Sequence, residues 1–184
     1  MSRKASTQLM CKQQEQILSA AKSCFSESGF HGASMAQLIR SSGLAAAQIY
    51  RAFPGKASLI VAVTAVVAKE WREFLLLKLS GSIRLGEMFD RASLFWSGWS
   101  RCQQQLLIEI YAEASRNEQV RVILLAEEQR LIDALLAHRL PALSRTGIEM
   151  ILLILDGLVW RCFSSPQPDQ NELKRIEGML FAGE

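Results

Sequence analysis

Apolar positions in this chain recur in steps of three and four along most of its length, the spacing at which side chains share one face of an α-helix. From Lys56 to about Ser80 they fall at Ile60, Val63, Val67, Trp71 and Phe74, which predicts one long amphipathic helix of about 36 Å. A first helix is predicted from about Leu9 to Ser28, with Ile17, Ala21, Cys24 and Phe25 facing inward and Gly29 at its end. Between these two, residues 34–56 read as two short helices and a tight turn. Ser34 stands three residues before Gln37, the arrangement of a capping box: the serine hydroxyl accepts the Gln37 backbone N–H and the glutamine side chain reaches back. Gly43 suits the left-handed conformation that ends a helix and turns the chain away. The second short helix is expected over about Ala45 to Ala52, with Leu44 and Ile49 at the spacing of a hydrophobic staple, Phe53 extending the buried side and Pro54-Gly55 as the stop.

Beyond Gly81-Ser82 an aromatic-rich segment, about Leu85 to Trp99, carries Met88, Phe89, Phe95, Trp96 and Trp99. A short helix over about Gln103 to Ser115 and a longer one over about Glu118 to Arg139, stopped by Pro141, follow it. The segment from about Thr146 to Phe163 is the most apolar of the chain and is expected to be buried on more than one side. Its uninterrupted apolar run is too short for a bilayer and it contains Glu149, Asp156 and Arg161, so no membrane partner is expected. A last helix, about Asp169 to Phe181, offers Leu173, Ile176, Leu180 and Phe181. The sum is an all-α chain of about nine helices: a three-helix head over residues 1–55, with residues 1–8 as a flexible arm, and a helical body over residues 56–184.

Two helices joined by a glycine turn, the second presenting small and polar residues, make a helix-turn-helix whose second helix fits the major groove of DNA. The outward positions are Ala46, Ala47, Gln48, Tyr50 and Arg51. Gln48 suits an adenine edge and the alanines a thymine methyl. Arg51 and the Tyr50 hydroxyl suit phosphate or base contacts, while Arg40, the Ser34 region and Lys56, which opens the long helix, suit phosphates. A single recognition helix reads only a few base pairs, so a homodimer that binds a palindrome is expected. Ile151, Leu155, Gly157, Leu158 and Cys162, with Leu173, Ile176 and Leu180 of the last helix, are the expected dimer contacts, two helices from each chain making a four-helix interface. Trp71, Met88, Phe89, Trp96, Trp99 and Trp160 are the expected apolar walls of a ligand pocket, with Glu109 and Glu113, one turn apart, as its polar members.

Composition adds two points. Hydrophobic residues make up 49% of the 184, high enough to imply apolar surface reserved for a partner, a pocket, or both. The net charge is only +3, yet residues 1–56 hold seven Lys or Arg against two Glu, so the basic balance sits in the head, as suits a polyanion partner. Cys11, Cys24, Cys102 and Cys162 show no paired short spacing and the start is not signal-like, so reduced thiols and a cytoplasmic location are expected. His31 and His138 are distant from each other, and no phosphate loop, nucleophile elbow or zinc-helix motif occurs; neither an enzyme nor a metal or cofactor is expected.

The run from Ile17 to Val63 resembles the N-terminal DNA-binding domain of TetR-family transcriptional regulators. The likeness is carried by F-S-E-S-G-F (25–30), Ser34, S-G-L (42–44), I-Y-R-A-F (49–53) and Lys56. It departs from the usual pattern at Ala45, where a serine commonly caps the recognition helix, at Ala47-Gln48 in place of Gly-Thr, and at Ile39 in place of Ala. The resemblance implies a homodimeric, ligand-responsive repressor that leaves a palindromic double-stranded DNA operator when a small apolar or aromatic effector enters the body, the long helix carrying the signal. The alternative, motivated by the three alanines at 45–47, is a helical small-molecule-binding or scaffold dimer without specific DNA binding.

Overall fold

The computed structural model describes residues 2–80, 87–88, 96–137, 144–161, 171 and 175. Seven helices lie among them and no strand: α1 (Ser2–Gly32), α2 (Met35–Ser42), α3 (Ala46–Ala52), α4 (Lys56–Leu79), α5 (Arg101–Ala114), α6 (Glu118–Ala137) and α7 (Arg145–Arg161). The fold is all-α, a helix-turn-helix followed by a helical body. α1 is helical from Ser2, so the segment expected as a loose arm has helical backbone. The regular helix breaks at Gly29 as expected, but one further turn continues to Gly32.

The chain divides into two compact units. The first comprises Met1–Lys69 and Arg101–Ala126, so the helix-turn-helix shares its unit with α5 and the first part of α6. Its core takes Ile17, Ala21, Phe25 and Phe30 from α1, Leu38 from α2, Ile49 from α3, Leu59, Val63 and Val67 from α4, and Leu106, Leu107 and Ile110 from α5. Phe25 and Phe30 meet edge to face, 5.0 Å between centroids, a favoured aromatic geometry. Asn117 starts α6, its Oδ1 accepting the N–H groups of Gln119 and Val120.

The second unit comprises Glu70–Ser100 and Glu127–Glu184. Here Trp71 and Phe74 of α4 gather with Trp96 and Trp99, the Trp71–Trp99 centroids 4.8 Å apart and Phe74–Trp99 5.3 Å. Trp96 Nε1 donates to the carbonyl of buried Met88 at 2.8 Å. Arg72 Nε donates to Glu127 Oε2 at 2.7 Å, and Glu127 also pairs with Arg130. Ser144 caps α7 through the Gly147 N–H at 3.1 Å, and Arg145 bridges to Gln129 of α6.

α7 corrects one expectation directly. Ile148, Ile151, Leu152, Leu155 and Val159 are buried within the chain, whereas Met150, Leu153, Gly157 and Trp160 are exposed. Their spacings put them on opposite faces of one helix. The helix is thus apolar on two sides but covered on only one in the single chain. Among the described residues no single helix is long and apolar enough to cross a membrane.

Candidate nucleic-acid interface

The capping box at α2 forms as its sequence dictates. Ser34 is extended (φ −110°, ψ 153°), its Oγ accepts the Gln37 N–H at 3.2 Å, and Gln37 Oε1 accepts the Ser34 N–H at 2.8 Å. Gly43 is left-handed at φ 66°, ψ 11°. Gln16 of α1 donates to the Ser42 carbonyl at 2.8 Å, satisfying one of the acceptors that the helix end leaves open. The Ser42 hydroxyl donates to Ile39 O and accepts the Leu44 N–H, which fixes the turn from within.

α3 begins at Ala46, with Ala45 as an extended cap residue that has no side-chain oxygen to offer. Half of a capping box remains: Gln48 Oε1 accepts the Ala45 N–H at 3.0 Å. Ile49 is fully buried and anchors the helix, while Ala46, Ala47, Tyr50 and Arg51 are exposed, Tyr50 at 46%. Arg40, in the last turn of α2, and Ser34 are exposed as well. Phe53 is half-buried and closes the helix through its N–H to Ile49 O. The structure therefore presents six of the eight expected DNA contacts to solvent.

The other two carry local duties. Gln48 is half-buried, and its acceptor oxygen is spent on Ala45, which leaves its Nε2 donors uncommitted. Lys56 Nζ donates to the carbonyls of His31 and Ala33, each at 3.1 Å, so two of its three donors close the end of α1. That clamp draws residues 29–34 onto the first turn of α4, a function the spacing of charges along the sequence gives no sign of.

The expected pocket residues divide. Trp71, Met88, Trp96 and Trp99 are brought together and buried, and Trp99 Nε1 is buried with no acceptor. Trp160 is 49% exposed on the outer face of α7, so it is not a wall of that cluster. Glu109 and Glu113 lie in the other compact unit, where both turn to α1. Glu109 Oε2 accepts the Phe30 N–H at 2.8 Å, and Glu113 pairs with Arg116 at 2.8 Å, accepts from Asn117 at 3.0 Å and lies 3.4 Å from His31. Burial acts to raise the Glu113 carboxyl, but the Asn117 hydrogen bond and the Arg116 and His31 charges outweigh it and hold it below the usual carboxylate value. Of the expected dimer contacts, Ile151 and Leu155 face the chain's own core, Leu158 is half-buried and Gly157 is exposed. Phe89, Cys162, Leu173, Ile176 and Leu180 lie outside the described residues.

Residues 17–63 match the family model of bacterial regulatory proteins, tetR family. Among solved structures the chain is similar to Salmonella enterica GusR, at 26% identity and TM-score 0.60, over 93% of this chain and 90% of that one. It is similar in fold to a TetR-family member from Streptomyces coelicolor A3, at 20% identity and TM-score 0.69, over 91% and 97%. It is likewise similar to the multidrug binding protein EbrR, solved in complex with ethidium, at 20% identity and TM-score 0.68, over 92% and 98%. No curated protein matches the chain.

Proposed function

We propose that this chain, whose residues 17–63 match the model of the tetR family of bacterial regulatory proteins, is a homodimeric repressor that binds a palindromic DNA operator and leaves it when a small apolar or aromatic molecule binds the body. The observation that carries the reading is α3: a seven-residue helix pinned by buried Ile49, with Ala46, Ala47, Tyr50 and Arg51 outward and Arg40 and Ser34 exposed on α2. A helix with small residues at its outward N-terminal positions can approach base edges closely, while the flanking hydroxyls and guanidinium groups meet phosphates. The uncovered stripe of Met150, Leu153, Gly157 and Trp160 on α7 supports pairing with a second copy, and it replaces Ile151 and Leu155 as the contact face. The Trp71, Trp96 and Trp99 cluster, with its unpaired indole N–H, supports an effector that has a flat apolar body and a hydrogen-bond acceptor. The effector acts by favouring a conformation in which the paired recognition helices do not match the operator, since equal binding to both conformations would shift nothing. The reading is of a cytoplasmic binding protein that catalyses no reaction.

Fluorescence anisotropy with DNA from upstream of its own gene tests the reading. Binding that weakens linearly in log–log salt plots and saturates at one dimer per site is expected. If no salt-sensitive binding occurs even at low ionic strength, the helical scaffold or ligand-binding dimer without DNA specificity is the better account. Ethidium or proflavin, titrated without DNA, should quench the tryptophan emission if the cluster borders the effector site.

A further inference from the structure

At Gly29, α1 departs from helix geometry with φ 70° and ψ 168°, against a helical ψ of about −42°. The Gly29–Phe30 peptide is swung round, and the Phe30 N–H, which a continuous helix would spend on the carbonyl four residues back, needs another acceptor. Glu109 of α5, 79 positions later, supplies it at 2.8 Å. A Cβ on residue 29 would stand 3.1 Å from Glu109 Oε1 and 3.2 Å from its Cδ and Oε2. The positive φ favours glycine, and any side chain here would also press the carboxylate away by a few tenths of an ångström. The turn so held closes with the Ala33 N–H on Gly29 O at 3.2 Å and hands the chain directly to Ser34, the cap of α2. On its other side the buried Phe30 ring rests on Phe25.

We propose that Glu109 is a positioning residue for operator binding: its carboxylate fixes the direction in which the chain leaves α1 and enters the helix-turn-helix, so the pose of α2 and α3 follows α5. The proposal rests on the repressor reading above. Glu109 touches no base or phosphate; it acts through the Phe30 amide. Carboxylate charge and carboxylate reach make opposite predictions here. Removing a negative charge from a DNA-binding unit raises affinity for a polyanion, whereas removing the grip on Phe30 lowers it.

The test uses full-length wild type, Glu109→Gln, Glu109→Asp and Glu109→Ala. Each is measured for affinity, for the half-site spacing it selects from random palindromes of varied spacing, and for Phe30 amide exchange. Asp keeps the charge but loses reach, and Ala loses both; each should bind about tenfold or more weakly, accept a wider range of spacings and exchange Phe30 faster. Gln keeps an acceptor at the same distance and should stay within about threefold of wild type. Folded Asp and Ala variants that bind with wild-type affinity and spacing would overturn the proposal, as would a Gln variant as impaired as Ala. A wild-type protein that binds no DNA sinks the repressor reading and this inference with it, whereas wild-type binding matched by the Asp variant sinks this inference alone.

Discussion

The Lys56 ammonium lies 3.1 Å from the Ala33 carbonyl oxygen, across 23 positions of sequence, and spends a second donor on His31 O. A lysine at the mouth of α4 suits a phosphate by charge, yet here it serves first as a cap for α1. Lys56→Ala should therefore lower the unfolding free energy by about 1 kcal/mol and weaken DNA binding. The slope of log affinity against log salt should stay nearly constant, whereas loss of a phosphate contact would reduce it by about 1. Urea unfolding and a salt titration distinguish the two.

On the repressor reading, Gln48 caps with its oxygen and reads with its amide nitrogen. Gln48→Glu keeps the oxygen that accepts the Ala45 N–H but discards the amide donors, so α3 should keep its start while the preferred base changes. Gln48→Ala should both change the preferred base and destabilise the unit by about 0.5–1 kcal/mol. Ala45→Ser, which supplies the missing hydroxyl, should raise stability by about 1 kcal/mol, measured by thermal unfolding. An unchanged selected operator in both Gln48 variants would remove that side chain from base reading.

On α7 the two faces should respond oppositely. Leu153 is 72% exposed, so Leu153→Glu should leave the isolated chain folded but shift sedimentation from dimer to monomer and abolish operator binding. Leu155 is fully buried, and Leu155→Ala should cost about 2–5 kcal/mol of stability at any protein concentration.

Glu113 gives the fold an acid-sensitive element. Its carboxyl is held below the usual value, so the folded state favours the charged form, and the stability this contributes is present above the ordinary carboxylate pKa. That stability is lost as pH falls through the depressed value. In Glu113→Gln the loss of stability between about pH 5 and the acid limit should be shallower than in wild type, read by denaturant unfolding at stepped pH.

Thr64 is fully buried in α4 with its hydroxyl unpaired. Thr64→Val keeps the shape and removes the desolvated group, so it should stabilise the chain by about 1 kcal/mol. A loss of stability would mean that the hydroxyl has a partner in solution.

The helices and their ends were decided locally. A capping box needs only Ser34 and Gln37 three residues apart, a left-handed stop needs only Gly43, and the α4 period is written in Ile60, Val63, Val67, Trp71 and Phe74; each depends on neighbours within one or two turns. The outward set on α3 followed from the same periodicity. What residues far apart in the chain do to one another was settled by packing. Glu109 and Glu113 sit one turn apart on a helix, which says that they share a face but not whether that face meets a cavity or the α1 kink; the structure puts it on Phe30 and His31. Lys56 became a cap because α1 ends within its reach. On α7 both faces are apolar, so hydrophobicity could not say which one the chain would cover itself, and only the fold turned Leu155 inward and left Leu153 exposed. Periodicity fixes a helix and its faces; which face meets which neighbour is a property of the assembled core.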